Sequence, residues 1–164
     1  MNNLNSPRIL KGVVPPVCTP FTSDYRVDEK SLRKLINHLI DGGVHGLFVL
    51  GSTSEVAYLT DDNRAEVIRI TMDEVQGRVP VVVGAIDTTT LRVIEHVNTA
   101  VAAGVEGIVI TAPFYVRTHP AEIANHFRLV KKACPNIPIY AYDIPVAVNG
   151  VKLDLGTILT LAKE

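Results

Sequence analysis

Sulfur is scarce in this chain. Its two cysteines, Cys18 and Cys134, stand far apart, with no Cys-x-x-Cys pair and no Cys/His ligand spacing. That excludes a disulfide framework and a zinc site, and predicts two free thiols packed as small apolar groups. Charge of one sign is equally scarce: the formal net charge is −1, and no cluster of Lys and Arg extends beyond Lys131-Lys132. Neither a nucleic-acid nor a membrane-surface partner is indicated, and a small molecule is expected instead. No run approaches the roughly 18 apolar residues of a membrane span, and the polar opening MNNLNSPRILKG has no apolar leader core. A cytoplasmic protein is the expectation. Also missing are Gly-x-Gly-x-x-Gly and the phosphate loop ending in Gly-Lys-Ser/Thr, so nucleotide and dinucleotide folds lose their fingerprints.

What is present is a globular composition, 47% apolar and 20% charged over 164 residues, enough for one domain with a real core. Five short β-rich apolar runs recur: Val13 to Phe21, Val44 to Gly51, Val79 to Ala85, Val105 to Ala112 and Ile137 to Asp143. Each is continuous rather than alternating, as in strands of a parallel sheet covered on both faces. Between them lie helical stripes. Leu32, Leu35, Ile36, Leu39 and Ile40 mark one buried face, with Asp28 as the expected cap and Gly42-Gly43 as the stop. Further stripes are Ala65, Ile68, Met72, Val75, then Leu91, Ile94, Val97, Val101. A fourth helix is expected to begin at Pro120 and carry Ile123, Phe127 and Val130. Leu155, Ile158, Leu159 and Ala162 open a fifth. Gly43-Val44-His45-Gly46-Leu47 and Gly104-Val105-Glu106-Gly107-Ile108 read as one helix-to-strand joint used twice.

Five β-α units suit two architectures. A doubly wound sheet is complete at about this length, whereas an eight-fold β/α barrel needs roughly 250 residues. In either, the site lies at the C-terminal ends of the strands. There stand Thr19-Pro20-Phe21, Gly51-Ser52-Thr53-Ser54-Glu55, Gly84-Ala85-Ile86-Asp87-Thr88, Ala112-Pro113-Phe114-Tyr115 and Tyr142-Asp143-Ile144-Pro145. A turn of Gly, Ser and Thr can hold an anion through N–H and hydroxyl groups, or simply cap a helix. Tyr115 and Tyr142 can relay protons, or be core-edge aromatics. The histidines, His38, His45, His96, His119 and His126, have no third ligand at a strand end; no metal is expected, and they are read as solvated helix residues.

Taken in order, Gly12-Val13-Val14-Pro15-Pro16-Val17-Cys18-Thr19-Pro20-Phe21, Gly51-Ser52-Thr53-Ser54-Glu55, Ala112-Pro113-Phe114-Tyr115 and Tyr142-Asp143-Ile144-Pro145 resemble the dihydrodipicolinate synthase/N-acetylneuraminate lyase family. The resemblance runs from about Leu10 to the last residue. It implies an α/β fold of the TIM (β/α)8-barrel type, here about the first five units of an incomplete barrel, residues 1–164 being the N-terminal portion of a single domain. It also implies pyruvate-dependent, Schiff-base aldolase or lyase chemistry on a 2-oxo acid and an aldehyde, with no cofactor. Ser52 and Thr53 would grip the substrate carboxylate, and Tyr142 would transfer the proton beside the reacting carbonyl. Tyr115 would complete a relay through Thr53 of a neighbouring subunit, in a homodimer or homotetramer.

The chain departs from the family pattern in three places. Ser54 stands where many members have glycine, a constraint if that position needs positive φ. Val146-Ala147-Val148-Asn149-Gly150 lacks the arginine that dihydrodipicolinate synthases use for the carboxylate of their second substrate, which favours a sugar-acid or other 2-oxo-acid aldolase or a hydratase-aldolase. The family's nucleophile is a lysine on strand six. Lys11, Lys30, Lys34, Lys131, Lys132, Lys152 and Lys163 all fall before the first run, on helices or in a polar connection. The 164 residues alone are therefore expected to be inactive. The alternative is a non-catalytic half-barrel module that binds a carboxylate or associates with itself.

Overall fold

Three prolines decide how the first apolar run behaves. In the computed structural model, which describes residues 10–163, Val13 to Phe21 lies in the place of a first strand but forms only one parallel bridge, Pro16 to Phe48. Pro15, Pro16 and Pro20 have no N–H to give a ladder. What remains is Phe48 N–H to the Pro15 carbonyl at 3.0 Å and Val17 N–H to the Phe48 carbonyl at 2.9 Å. This corrects the expectation of five strands, and Cys18, expected to pack as a small apolar group, is exposed on that segment. The polar opening through Ile9, and Glu164, lie outside the described residues.

The other four runs form β1 (Leu47–Val49), β2 (Val81–Gly84), β3 (Gly107–Ile110) and β4 (Ile139–Ala141), all parallel, in the order β1-β2-β3-β4. That order separates the two architectures. A doubly wound sheet reverses its strand order at a switch point, whereas a barrel advances one strand at a time in one direction. The chain is an α/β partial barrel.

Side-chain alternation shows which way the sheet curves around its site. Leu47, Val49, Val81, Val83, Ile108 and Ile110 enter one core with Val67, Val97, Ile123, Phe127 and Val130 of the helices. Phe48, Val82, Val109 and Tyr140 point the other way and line an open cleft. Helices therefore cover the outer face alone. They are α1 (Glu29–Asp41), α2 (Asp61–Val75), α3 (Thr90–Ala102), α4 (Pro120–Ala133) and α5 (Leu155–Leu161).

Their termini follow the local chemistry. The carboxylate of Asp28 accepts from Ser31 N–H, and Gly43 turns the chain out of α1 at φ 84°. Pro120 opens α4 within a capping box made by His119 and Glu122. In α3 the buried residues are Val93, Val97 and Ala100, while Leu91 is 75% exposed. A helix this apolar carries two overlapping stripes, and packing chooses between them. In α5 the stripe residues Leu155, Ile158 and Leu159 are exposed. Among the described residues no helix is long and apolar enough to cross a membrane.

The repeated joint has a shared function. At its third position His45 bonds Val13 twice, its Nδ1 accepting from the Val13 N–H at 3.0 Å and its own N–H donating to the Val13 carbonyl at 2.7 Å. Glu106 treats Val81 the same way, through Oε2 at 2.9 Å and through its N–H at 3.0 Å. Each joint thus pins the start of the neighbouring extended segment, which satisfies backbone groups at the bottom of the sheet.

Candidate active site at the strand ends

The turn after β1 is shaped by two residues with left-handed backbones, Leu50 at φ 57° and Glu55 at φ 59°. Leu50 is buried, so packing holds the strained conformation in place. Its carbonyl leaves room for only a glycine opposite: a Cβ on Gly84 would sit 1.9 Å from the Leu50 oxygen.

Within the turn most backbone donors are used. Gly51 N–H donates to Ser54 Oγ, Ser54 and Val56 N–H donate to the Gly51 carbonyl, and Glu55 N–H donates to the Ser52 carbonyl. The amides of Ser52 and Thr53 have no partner among the described residues, and both side chains are exposed. Two adjacent N–H groups with two hydroxyls offer the kind of donors that can hold an anion. Ser54 does not need positive φ, since the left-handed positions flank it. It is a buried clamp, donating Oγ–H to the Val17 carbonyl and accepting Thr19 Oγ1–H at its own carbonyl, at 2.9 Å.

Ser52, Thr53 and Tyr142 line one cleft of about 350 Å³, whose floor is Phe48, Val82, Val109 and Tyr140. Tyr142 is oriented by its N–H bond to the Ile110 carbonyl at 2.8 Å and by an edge-to-face contact with Phe48, ring centroids 6.0 Å apart. Among the described residues no lysine, arginine or histidine lines this cleft. Tyr115 is not brought to it. Its backbone sits at φ 80°, its carbonyl accepts from Asn149 Nδ2 at 2.9 Å, and its side chain is 85% exposed.

Two histidines correct the expectation of solvated helix positions. His96 is nearly buried, with Nε2 2.9 Å from Asp87 Oδ2. His126 is buried, its Nδ1 3.0 Å from Thr90 Oγ1, and burial pushes it down to about 4 despite the nearby Thr111 backbone. It is neutral at neutral pH. His45 and His119, bonded as a joint clamp and a helix cap, are likewise engaged with backbone. Among the described residues no group of three His, Cys, Asp or Glu side chains could hold a metal.

An ionic cluster behind the loop after β2 has no periodic signature in the sequence. Asp87 is buried between Arg64 at 3.6 Å, Arg92 at 3.0 Å and His96, and also accepts from Thr88 N–H. Burial pushes its carboxyl up, but hydrogen bonds from Arg92, His96 and Thr88 outweigh this and hold it well below the usual carboxylate range. Burial lowers the Arg64 guanidinium, with Asp87 opposing, and Arg64 donates to the Ile86 carbonyl at 3.1 Å. The cluster thereby fixes Ile86, which faces the site. An acid at a strand end was the one visible signal; its partners come from other elements.

The described lysines lie away from the strand ends. Lys30 and Lys34 are on α1, Lys131 and Lys132 on α4, and Lys11, Lys152 and Lys163 in connecting segments.

Residues 9–164 match the dihydrodipicolinate synthetase family. A 4-hydroxy-tetrahydrodipicolinate synthase of Methanothermobacter thermautotrophicus is 36% identical over 154 residues, covering 94% of this chain and 54% of that protein. An uncharacterized DapA-like lyase of Halobacterium salinarum is 36% identical, covering 94% of this chain and 50% of that protein. The crystal structure of YagE, a prophage protein of the dihydrodipicolinic acid synthase family from Escherichia coli K12 in complex with pyruvate, superposes with a TM-score of 0.90. It is 35% identical, over 95% of this chain and 52% of that one. The chain spans about half the length of the curated relatives it matches. A one-directional parallel sheet with its cleft at the strand ends and a match from residue 9 to 164 together show that the chain belongs to the dihydrodipicolinate synthetase family.

Proposed function

We propose that residues 1–164 are the N-terminal portion of a single β/α-barrel domain in a class I, Schiff-base aldolase or lyase that joins or splits pyruvate, or a related 2-oxo acid, and an aldehyde. The observation that carries this is the pair of unpartnered amides at Ser52 and Thr53, in one cleft with Tyr142. A carboxylate offers only acceptors, and two N–H groups with two hydroxyls satisfy it without a cation. The pyruvate bound to YagE supports the choice of acid.

In this reading Ser52 and Thr53 hold the carboxylate, and Tyr142 passes the proton at the reacting carbonyl. Tyr115 reaches Thr53 of a neighbouring subunit in a homodimer or homotetramer, which its strained backbone and solvent-facing ring support. The enzyme works in the cytoplasm without a cofactor. Schiff-base formation needs a desolvated lysine beside the acid. We place that lysine outside these 164 residues, so that alone they bind but do not turn over.

Titration of the ¹⁵N-labelled chain with pyruvate tests the reading. Saturable shifts should centre on the Ser52 and Thr53 amides and weaken about tenfold in Thr53→Val, the scale of one good hydrogen bond. Shifts confined to other residues would falsify it. Borohydride should trap no adduct, and a trapped lysine adduct would overturn the inactivity of the short chain.

A second reading, a non-catalytic half-barrel module, is favoured by an apolar groove of about 530 Å³ beside β4, which among the described residues pairs with β3 alone, lined by Phe127, Ile139, Leu153 and Leu161 among others. A stable soluble dimer of 17.8 kDa chains that shows no pyruvate response would select it.

A further inference from the structure

Tyr142 stands between two hollows. Besides the cleft that holds Ser52 and Thr53, a second pocket of about 360 Å³ opens on the same strand-end face, and Ser52 and Tyr142 line both. Any carbonyl compound that meets a 2-oxo acid at Tyr142 has this pocket for the rest of its body.

Most residues that line the second pocket are apolar. Ile86 comes from the loop after β2, Phe114 from the loop after β3, and Ile144, Ala147 and Val148 from the segment after β4. Among the described residues no lysine, arginine or histidine lines this pocket, and the sole charged lining group is the carboxylate of Glu55. Arg117 is nearby, but its guanidinium lies against Gly150 and is not part of the lining. Of the hydroxyls, Thr111 already donates to the Ala112 carbonyl at 3.0 Å. Those of Ser52 and Tyr142, beside the other cleft, and of the exposed Tyr58 have no partner within the described chain.

A ligand carboxylate or phosphate here would lose its water against hydrocarbon and face Glu55, with no cation among the described lining residues to offset it. An apolar group gains from the same walls. Size is no obstacle, since a dry apolar cavity of about 150 Å³ already holds benzene.

We infer that the pocket between Tyr142 and Ile86 receives an uncharged, apolar carbonyl substrate, an aryl or branched alkyl aldehyde without a carboxylate or phosphate. Its carbonyl oxygen lies toward Ser52 and Tyr142 and its body against Ile86, Phe114 and Val148. This rests on the 2-oxo-acid reading of the adjoining cleft. Ala147 is the residue that tunes the choice: it lines the pocket from an exposed turn, where a longer side chain reaches in without disturbing the core.

The test uses two unreactive probes of one shape, benzyl alcohol and benzoate, titrated separately into the ¹⁵N-labelled 164-residue chain. Benzyl alcohol should give saturable shifts at Ile86, Phe114 and Val148, with benzoate weaker by about tenfold or more. Ala147→Arg should narrow or invert that preference. Val146→Lys, at a 92% exposed position on the same lining, is the second variant should the first fold poorly. Benzoate binding as tightly as benzyl alcohol in the unmodified chain overturns the inference, as does benzyl alcohol acting only elsewhere. Pyruvate shifts at Ser52 and Thr53, read on the same sample, keep the two ideas apart. Loss of the pyruvate response with benzyl alcohol still bound sinks the acid reading, whereas the reverse sinks the apolar pocket.

Discussion

Ser54 holds Val17: its hydroxyl donates to the Val17 carbonyl and at the same time accepts the Gly51 N–H, fastening the turn after β1 to the proline-broken first segment. Both groups are buried, so Ser54→Ala leaves a donor and an acceptor unpaired. We expect a loss of about 1–3 kcal/mol, read as a lower urea midpoint at unchanged slope. An unchanged midpoint would mean that the turn holds itself.

Gly84 and Leu50 make a contact that tolerates no side chain, since a Cβ would lie 1.9 Å from the Leu50 oxygen. Gly84→Ala must move β2 or unwind the left-handed Leu50, at a cost of about 3 kcal/mol. A thermal midpoint equal to that of the unmodified chain would refute this.

Asp87 gives a pH dependence of known sign. Its folded carboxyl titrates below the ordinary value of about 3.9. Its stabilisation is therefore fully present above the unfolded value and is lost as pH falls toward the folded one. Acid unfolding should steepen below about pH 4, and Asp87→Asn should flatten that limb. The same change takes from the buried Arg64 its nearest counter-charge and leaves it the more exposed Asp61, costing about 3 kcal/mol at pH 7. Urea unfolding from pH 3 to 7 measures both effects, and parallel curves for the two proteins would contradict the assignment.

His126 acts in a higher window. It is held neutral, with its value pushed down to about 4 by burial, while an unfolded histidine titrates near about 6.5. Between these values the unfolded chain binds the extra proton, so stability rises with pH through the window and is lost as pH falls through it, by about 3 kcal/mol in all. His126→Gln should remove that slope. NMR titration of the ring provides the direct check, and a midpoint above 6 would contradict it.

Much of the fold is legible because it is written in short-range patterns. The stripe of α1, its Asp28 cap, Pro120 at the start of α4 and the four apolar runs of the sheet all follow from local propensity and periodicity. The turn at Gly51 to Glu55 and the position of Tyr142 at a strand end follow for the same reason. The prolines of the first run carried their own warning that a strand there cannot pair fully.

Only the tertiary structure decided the rest. Which stripe of α3 is buried depends on what packs against it, and both Val93 and Leu91 satisfied the period. That the amides of Ser52 and Thr53 are free while their neighbours are spent depends on the left-handed turns at Leu50 and Glu55. Asp87 meets Arg64, Arg92 and His96 because two helices and a strand end converge, and no spacing in the chain encodes that meeting. Patterns along a chain record how each element turns its own faces. Which faces then meet is a property of three-dimensional packing, and a site assembled across elements exists only there.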